Sequence, residues 1–408
     1  EIREPEAATG FNQKKAVFSK QYMVVAANPY ASKAGLAMLD KGGSAVDAAI
    51  AAQLVLSLVE PQSSGLGGGT FMLHWHNEDK KLTTFDGRET APKKATSELF
   101  LDNNGKPLRW SDAVVGGKSV GVPGLLAALN KAHEQFGVLP WKELFQPAIE
   151  LAENGFIVSQ RLEKLLGMNF NPGIHLLPEI KNYFSPNGIG IKAGDTLKNP
   201  KLAKALHSIA NDGVAVFYQG WIAKKIVEKV QKSAISPGLL SLDDMNNYQA
   251  IERASVCGPY HQYKICGMAP PSSGGISVIQ ILAQLQSFEL AQYPPNSLHA
   301  IHLLTQSSRL AFADRNKYIA DSDFVSVPVK GLLAEDYLAK RAALINEKRD
   351  MGQAVAGSPQ NSLVLANDNA IERPSTTHLV VVDKQGNAIS MTSSIENGFG
   401  SALMVQGF

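Results

Sequence analysis

RPSTTHLVVVDKQGNAISMTSSIEN, residues Arg373 to Asn397, reads as a polar approach followed by a β-hairpin. Leu379 to Val382 is a buried-strand run, since three of its four residues are β-branched. Asp383-Lys384-Gln385-Gly386-Asn387 is turn chemistry, and Ala388 to Ser394 resumes a strand-like pattern that carries the chain back. Thr376 then stands at the mouth of a strand, with Ser394 and Glu396 returning beside it. Two readings of Thr376 fit this pattern: an ordinary threonine in a half-buried sheet, which spacing alone favours, or a hydroxyl placed for chemistry.

Composition narrows the classes. Of 408 residues 44% are hydrophobic and 19% charged, enough apolar material for a sizeable core. A net charge of +2, with no run of Lys or Arg longer than two, argues against a nucleic-acid surface. The longest apolar stretch, Ala45 to Val59, is broken by Asp47, Gln53 and Ser57 and falls short of the roughly 20 residues that span a bilayer. It predicts a buried helix, and no membrane span is expected. The chain opens on Glu1, not Met, which suits a removed signal peptide or tag. Cys257 and Cys266 flank a presumptive turn at His261-Gln262; as opposed residues of a hairpin they suit either a disulfide of an exported protein or two small buried side chains. Two cysteines do not complete a structural zinc site, and neither metal nor cofactor is expected.

Further along the chain, residues 1 to 20 are polar and are expected to trail on the surface. A strand at 22–28 leads to a helix at 31–41, then Ser44 caps the helix 45–59. Ser63 to Thr70 is glycine-rich, but it follows a helix and precedes a strand, the wrong order for dinucleotide binding. It predicts close passage of backbone. His74 and His76 share a strand face without a convincing third ligand and read as structural. Gly117-Lys118-Ser119-Val120-Gly121 matches a nucleophile elbow literally, yet the preceding segment is a poor strand, so an esterase reading is disfavoured. Helices follow at 125–136, 141–155, 160–166, 200–211, 221–232, 241–246, 276–285 and 299–320. Met351 to Asn369 has loop composition and predicts a flexible approach to Ser375.

Ser375-Thr-Thr-His378, the apolar strand, Val382-Asp-Lys-Gln-Gly-Asn-Ala388 and Phe399-Gly-Ser401 together resemble the self-cleavage region of the γ-glutamyltranspeptidase family, which includes glutaryl-type cephalosporin acylases. Phe85-Asp-Gly-Arg-Glu89, the glycine-rich 63–70 segment, Gly121-Val-Pro-Gly124 and Arg309 to Tyr318 extend the likeness over nearly all of residues 20 to 408. The resemblance implies an α+β (layered α/β) fold, a four-layer αββα sandwich of the N-terminal nucleophile hydrolase type. Residues 1–375 would form a large-subunit region and 376–408 the start of a small one, together one structural unit and, after cleavage, a heterodimer. Thr376 would be the nucleophile released by cutting the Ser375–Thr376 bond, and Arg88 the clamp on a substrate α-carboxylate. Ser394 and Glu396 would contact substrate; Glu396 stands where many members carry Asn, and Ser394 keeps the hydroxyl of their Thr.

The activity implied is transfer of a γ-glutamyl group from glutathione or a related amide to water, amino acids or peptides. Alternatives are a glutaryl-type acylase and an uncleaved, catalytically silent relative. A periplasmic or secreted location goes with the family. The sequence ends 33 residues into the presumed small subunit, so the paired glycines of the oxyanion hole are expected beyond Phe408.

Overall fold

The computed structural model describes residues 15–168, 171–363 and 375–407. The expected trail over residues 1–14, the Arg373-Pro374 approach and positions 364–369 of the expected loop lie outside the described residues. Two compact units result: residues 15–252 with 375–407, and residues 253–363. The first takes residues from both sides of the Ser375–Thr376 bond.

The first unit is built on an antiparallel sheet. Its strands are β1 (Met23–Val25), β2 (Gly69–His76), β3 (Lys81–Gly87), β4 (Ile251–Arg253), and the two arms of the expected hairpin, Thr376–Val382 and Ala388–Ser394. The hairpin arms become β7 and β8, because β5 (Val256–Tyr260) and β6 (Tyr263–Gly267) precede them in the second unit. The sheet order is β1-β7-β8-β2-β3-β4, so the strand that starts at Thr376 lies inside the sheet. Its register pairs Thr376 with Ser394, and Ser394 in turn with Gly69 of β2. The turn forms as its composition dictates: Asp383 Oδ1 accepts from the Gln385 and Asn387 amides, and Gly386 takes a φ of 81° that favours glycine.

Burial alternates strictly along β7. Thr377, Leu379 and Val381 are buried, whereas Thr376, His378, Val380 and Val382 are exposed. The buried side faces α2 (Ala45–Val59), which also packs against α1 (Pro29–Asp40) and α4 (Trp141–Asn154); α3 (Leu125–Phe136) packs on β3. Of α2, every residue but Ser57 is buried. Its alanines allow the close approach, and Ile50, Leu54 and Leu56 are fully buried, each worth about 1.5–3 kcal/mol of transfer free energy. A capping box starts the helix: Ser44 Oγ accepts the Asp47 amide at 3.2 Å and Asp47 Oδ2 accepts the Ser44 amide at 2.8 Å. The Asp383 carboxylate of the hairpin turn accepts the Ala45 amide at 3.1 Å, fixing the hairpin onto the helix start. α5 (Pro200–Asp212) packs on α4, and α6 (Trp221–Gln231) follows it in the chain.

Of the segment 112–115, expected as a poor strand, the first three residues belong to the short helix Trp110–Val114, and Val115 is the extended residue that ends it. In the second unit β5 pairs with β6 with Cys257 opposite Cys266, and the two form a disulfide with Cα atoms 4.1 Å apart. Helices α7 (Gly274–Leu285), α8 (Leu298–Tyr318) and α9 (Glu335–Ala342) complete this unit. Its centre is charged: Asp314, fully buried, pairs with Arg341 Nη2 at 3.0 Å and accepts from the Tyr337 hydroxyl and the Gly357 amide. A buried carboxylate persists when charge and donors surround it in this way. Among the described residues, no helix is long and apolar enough to cross a membrane.

Candidate active site

The site forms where β7 begins. Alternation along the strand separates the two adjacent threonines: Thr376 faces outward and is exposed, while Thr377 points into the core. Immediately upstream, Ser375 is buried, and its hydroxyl donates to the carbonyl oxygen of Gln62 at 2.7 Å. The carbonyl of Ser375, part of the bond that self-cleavage would cut, accepts from Ser394 Oγ at 2.8 Å. Ser394 Oγ accepts in turn from the Glu396 amide at 2.9 Å. Glu396 reaches this position with a φ of +70°, a conformation uncommon for a residue with a side chain. In the uncut chain, therefore, Ser394 polarises the Ser375 carbonyl, and each bond in the relay strengthens the next.

The glycine-rich loop makes the close passage its composition predicts. A Cβ on Gly68 would lie 2.1 Å from the Ser394 carbonyl oxygen, so no other residue fits at that crossing. The Gly68 carbonyl accepts the Gly124 and Leu125 amides, which ties the Gly121-Val-Pro-Gly124 segment to the same place as a structural element.

Arg88 follows directly on β3. Its amide donates to Asp86 Oδ1 at 2.8 Å and its carbonyl accepts from the Tyr248 hydroxyl at 2.7 Å, so the backbone is held at both ends. The guanidinium is half-exposed and spans two carboxylates: Nη2 lies 3.2 Å from Glu396 Oε2, and Nε 3.5 Å from Glu89 Oε2. Burial pushes the Glu89 carboxyl above its ordinary value, partly offset by Arg88 and by hydrogen bonds. Arg88, Glu89 and Glu396 line a cavity of about 510 Å³ whose walls include Leu66, Phe100 and Phe184; Thr376 and Ser394 are not among its lining residues. Arg88 and Glu396 are thus brought together, and the Ser394–Glu396 segment links them to Thr376.

Other candidates resolve as structure. His74 is buried against Phe136, ring centroids 4.1 Å apart, and burial and neighbouring His76 lower its pKa to about 4. Among the described residues no cluster of metal-ligating side chains occurs. Ser119 lies in a turn with its hydroxyl donated to the Val114 carbonyl at 2.6 Å, not on a strand-to-helix elbow. Two participants escaped the sequence reading. Glu89 was visible only as the neighbour of Arg88, and Gln62 acts through its main-chain carbonyl, which leaves no side-chain signature.

Comparison with known proteins places this geometry. The family model described as Gamma-glutamyltranspeptidase matches residues 31–408. The chain is 39% identical over 399 residues to the glutathione hydrolase proenzyme of Bacillus subtilis (strain 168), covering 96% of this chain and 67% of that one. Its structure is similar to that of Helicobacter pylori γ-glutamyltranspeptidase, with a TM-score of 0.80 and 33% identity over 85% of this chain and 99% of that one. It is also similar to that of cephalosporin acylase from Bacillus halodurans, with a TM-score of 0.82 and 26% identity over 100% of this chain and 72% of that one. The chain spans about two thirds of the length of the curated relatives it matches. The fold is α+β, of the N-terminal nucleophile hydrolase class to which these structures belong. Within that class, the chain belongs to the γ-glutamyltranspeptidase family.

Proposed function

We propose that the protein is an exported, self-cleaving γ-glutamyl transferase or hydrolase with Thr376 as nucleophile. The observation that carries the substrate assignment is the Arg88–Glu396 pair, whose charges sit 3.2 Å apart and open to solvent. Such exposed pairs are worth at most about 1 kcal/mol. A γ-glutamyl group brings an α-carboxylate and an α-ammonium on one carbon, so it exchanges one weak pair for two: carboxylate on the Arg88 fork, ammonium on Glu396. A glutaryl group carries the same terminal carboxylate but lacks the ammonium, so Glu396 is the side chain that tells the two apart.

Maturation precedes turnover. Thr376 Oγ attacks the Ser375 carbonyl carbon, the oxygen gathers charge against the Ser394 hydroxyl, and the Thr376 nitrogen leaves as an amine once protonated. Water then hydrolyses the ester, giving a Ser375 carboxylate and a Thr376 with free hydroxyl and amine. That α-amine, with an ordinary pKa of about 7.7–8, is the base matched to neutral pH. In turnover the hydroxyl takes the γ-glutamyl acyl group from glutathione or another amide, and water, an amino acid or a peptide accepts it. The two halves remain together as a heterodimer, and the Cys257–Cys266 disulfide supports a periplasmic or secreted location.

The test compares Arg88→Ala and Glu396→Ala with wild type in the full-length protein, on a γ-glutamyl amide and the matching glutaryl amide. Where bound substrate shuts the new pair off from water, loss of one charge partner costs about 2–5 kcal/mol, on the order of 30-fold to several thousand-fold in kcat/KM. Arg88→Ala is expected to lose activity on both substrates, with Lys rescuing it only partly, whereas Glu396→Ala is expected to lose it on the γ-glutamyl substrate alone. Equal losses of Glu396→Ala on both substrates, or a wild-type preference for the glutaryl amide, would favour the acylase reading. A wild-type chain that never splits would leave the catalytically silent one.

A further inference from the structure

Behind the Ser375–Thr376 bond lies a buried polar cluster that nothing in turnover uses. Glu60, which ends α2, is 3% exposed. Its Oε1 accepts from Asn28 Nδ2 at 2.8 Å, its Oε2 accepts from Gln62 Nε2, and Arg161 Nε lies 3.5 Å from the same oxygen. The cluster joins the start of α1, the end of α2 and the helix Gln160–Gly167. Gln62 is 1% exposed, and its carbonyl accepts both the Ser375 hydroxyl at 2.7 Å and the Phe399 amide at 3.1 Å. A carboxylate is costly to bury unless its lone pairs are taken; both Glu60 oxygens are partnered, which holds the turn after α2, while Gln62 Oε1 is buried without a hydrogen-bond partner.

We propose that Glu60 and Gln62 are positioning residues for self-cleavage: they form a seat for the hydroxyl of the residue on the departing side of the bond. The seat fixes Ser375 by its side chain while Ser394 holds its carbonyl, leaving the carbonyl carbon as the atom Thr376 Oγ can reach. It also sets specificity. Ser375 is 1% exposed, so the position admits a small residue, and a hydroxyl is what the Gln62 carbonyl can bind. After the cut Ser375 belongs to the chain end that must leave, and the seat has no further part in acyl transfer. This inference rests on the proposed self-cleavage at Ser375–Thr376.

The experiment follows freshly made full-length proenzyme by denaturing gel and then measures turnover per mole of matured sites. In Glu60→Gln one carboxylate oxygen becomes an amide nitrogen facing the donors of Asn28 or Gln62, so the turn shifts. Fragment appearance is expected to slow about tenfold, the scale of a lost buried hydrogen bond, while turnover per matured site stays within about threefold. Ser375→Ala is expected to slow fragment appearance and Ser375→Thr to restore it; this pair decides the matter if Glu60→Gln melts early. Variants that split at the wild-type rate overturn the seat while leaving self-cleavage intact, and so does an equal fall in splitting and in turnover. A wild-type chain that does not split at this bond overturns both.

Discussion

Two hydroxyls divide the chemistry proposed here, and each makes its own demand. Thr376→Ala is expected to abolish both splitting and turnover, since no other exposed hydroxyl starts β7; Thr376→Ser should retain some of each, read as two bands and as product release. Two bands at this bond in the alanine variant would refute the assignment. Ser394→Ala removes the donor on the Ser375 carbonyl, and fragment appearance is expected to slow on the order of a hundredfold, the usual cost of one oxyanion donor, with Ser394→Thr restoring it. Glu89 makes a pH prediction. Its folded pKa is raised by burial, so between the ordinary glutamate value and that raised value the folded state binds the proton more tightly than the unfolded one. The associated stability is present at acid pH and is lost as pH rises through the folded pKa. Glu89→Gln carries no such titration, so its melting temperature should gain on that of wild type as pH is raised from 4 to 7.

At the scale of elements, β2 contributes a pH dependence of opposite sign. His74 is neutral in the core with a pKa of about 4, against an ordinary value of about 6.5. Acid therefore favours the unfolded chain, and stability falls as pH drops from 6.5 to 4, by roughly 3 kcal/mol at most at 1.36 kcal/mol per unit. His74→Phe, which keeps the ring against Phe136, should remove that part of the acid sensitivity in urea titrations at pH 7 and 4.5. Elements of this kind were largely legible in the sequence. The periodicity and capping of 45–59 predict α2 to the residue, and the turn at Asp383–Asn387 predicts the β7–β8 hairpin. What stayed illegible depends on tertiary contact. Trp110–Val114 and the eight-residue α9 are too short for period to speak, and the ties from Ser375 to Gln62 and from Arg88 to Glu396 join positions about 300 apart in the chain. Strand alternation alone, though, already distinguishes Thr376 from Thr377.

For the whole molecule, the division into two compact units and the division at the proposed cut are different partitions. The disulfide belongs to residues 253–363, where it closes a short loop; in the chain-entropy account such a closure is worth roughly 2–3 kcal/mol. Reduction, or Cys257→Ser, should therefore lower amide-exchange protection across 253–363 and leave β7 and β8 protected, as mass-resolved exchange would report; protection lost first in the hairpin would contradict this. The interior position of β7 bears on the cut molecule in another way. β7 is flanked by β1 and β8, and its inward side chains are packed on α2, so severing the chain at Thr376 removes a covalent link and no ladder. The two products would then be parts of one sheet, with no preformed surface along which to separate. Diluting such a heterodimer would not release intact halves for exchange with others. Dissociation and unfolding would be a single event, and each enzyme would keep for life the partner it was translated with.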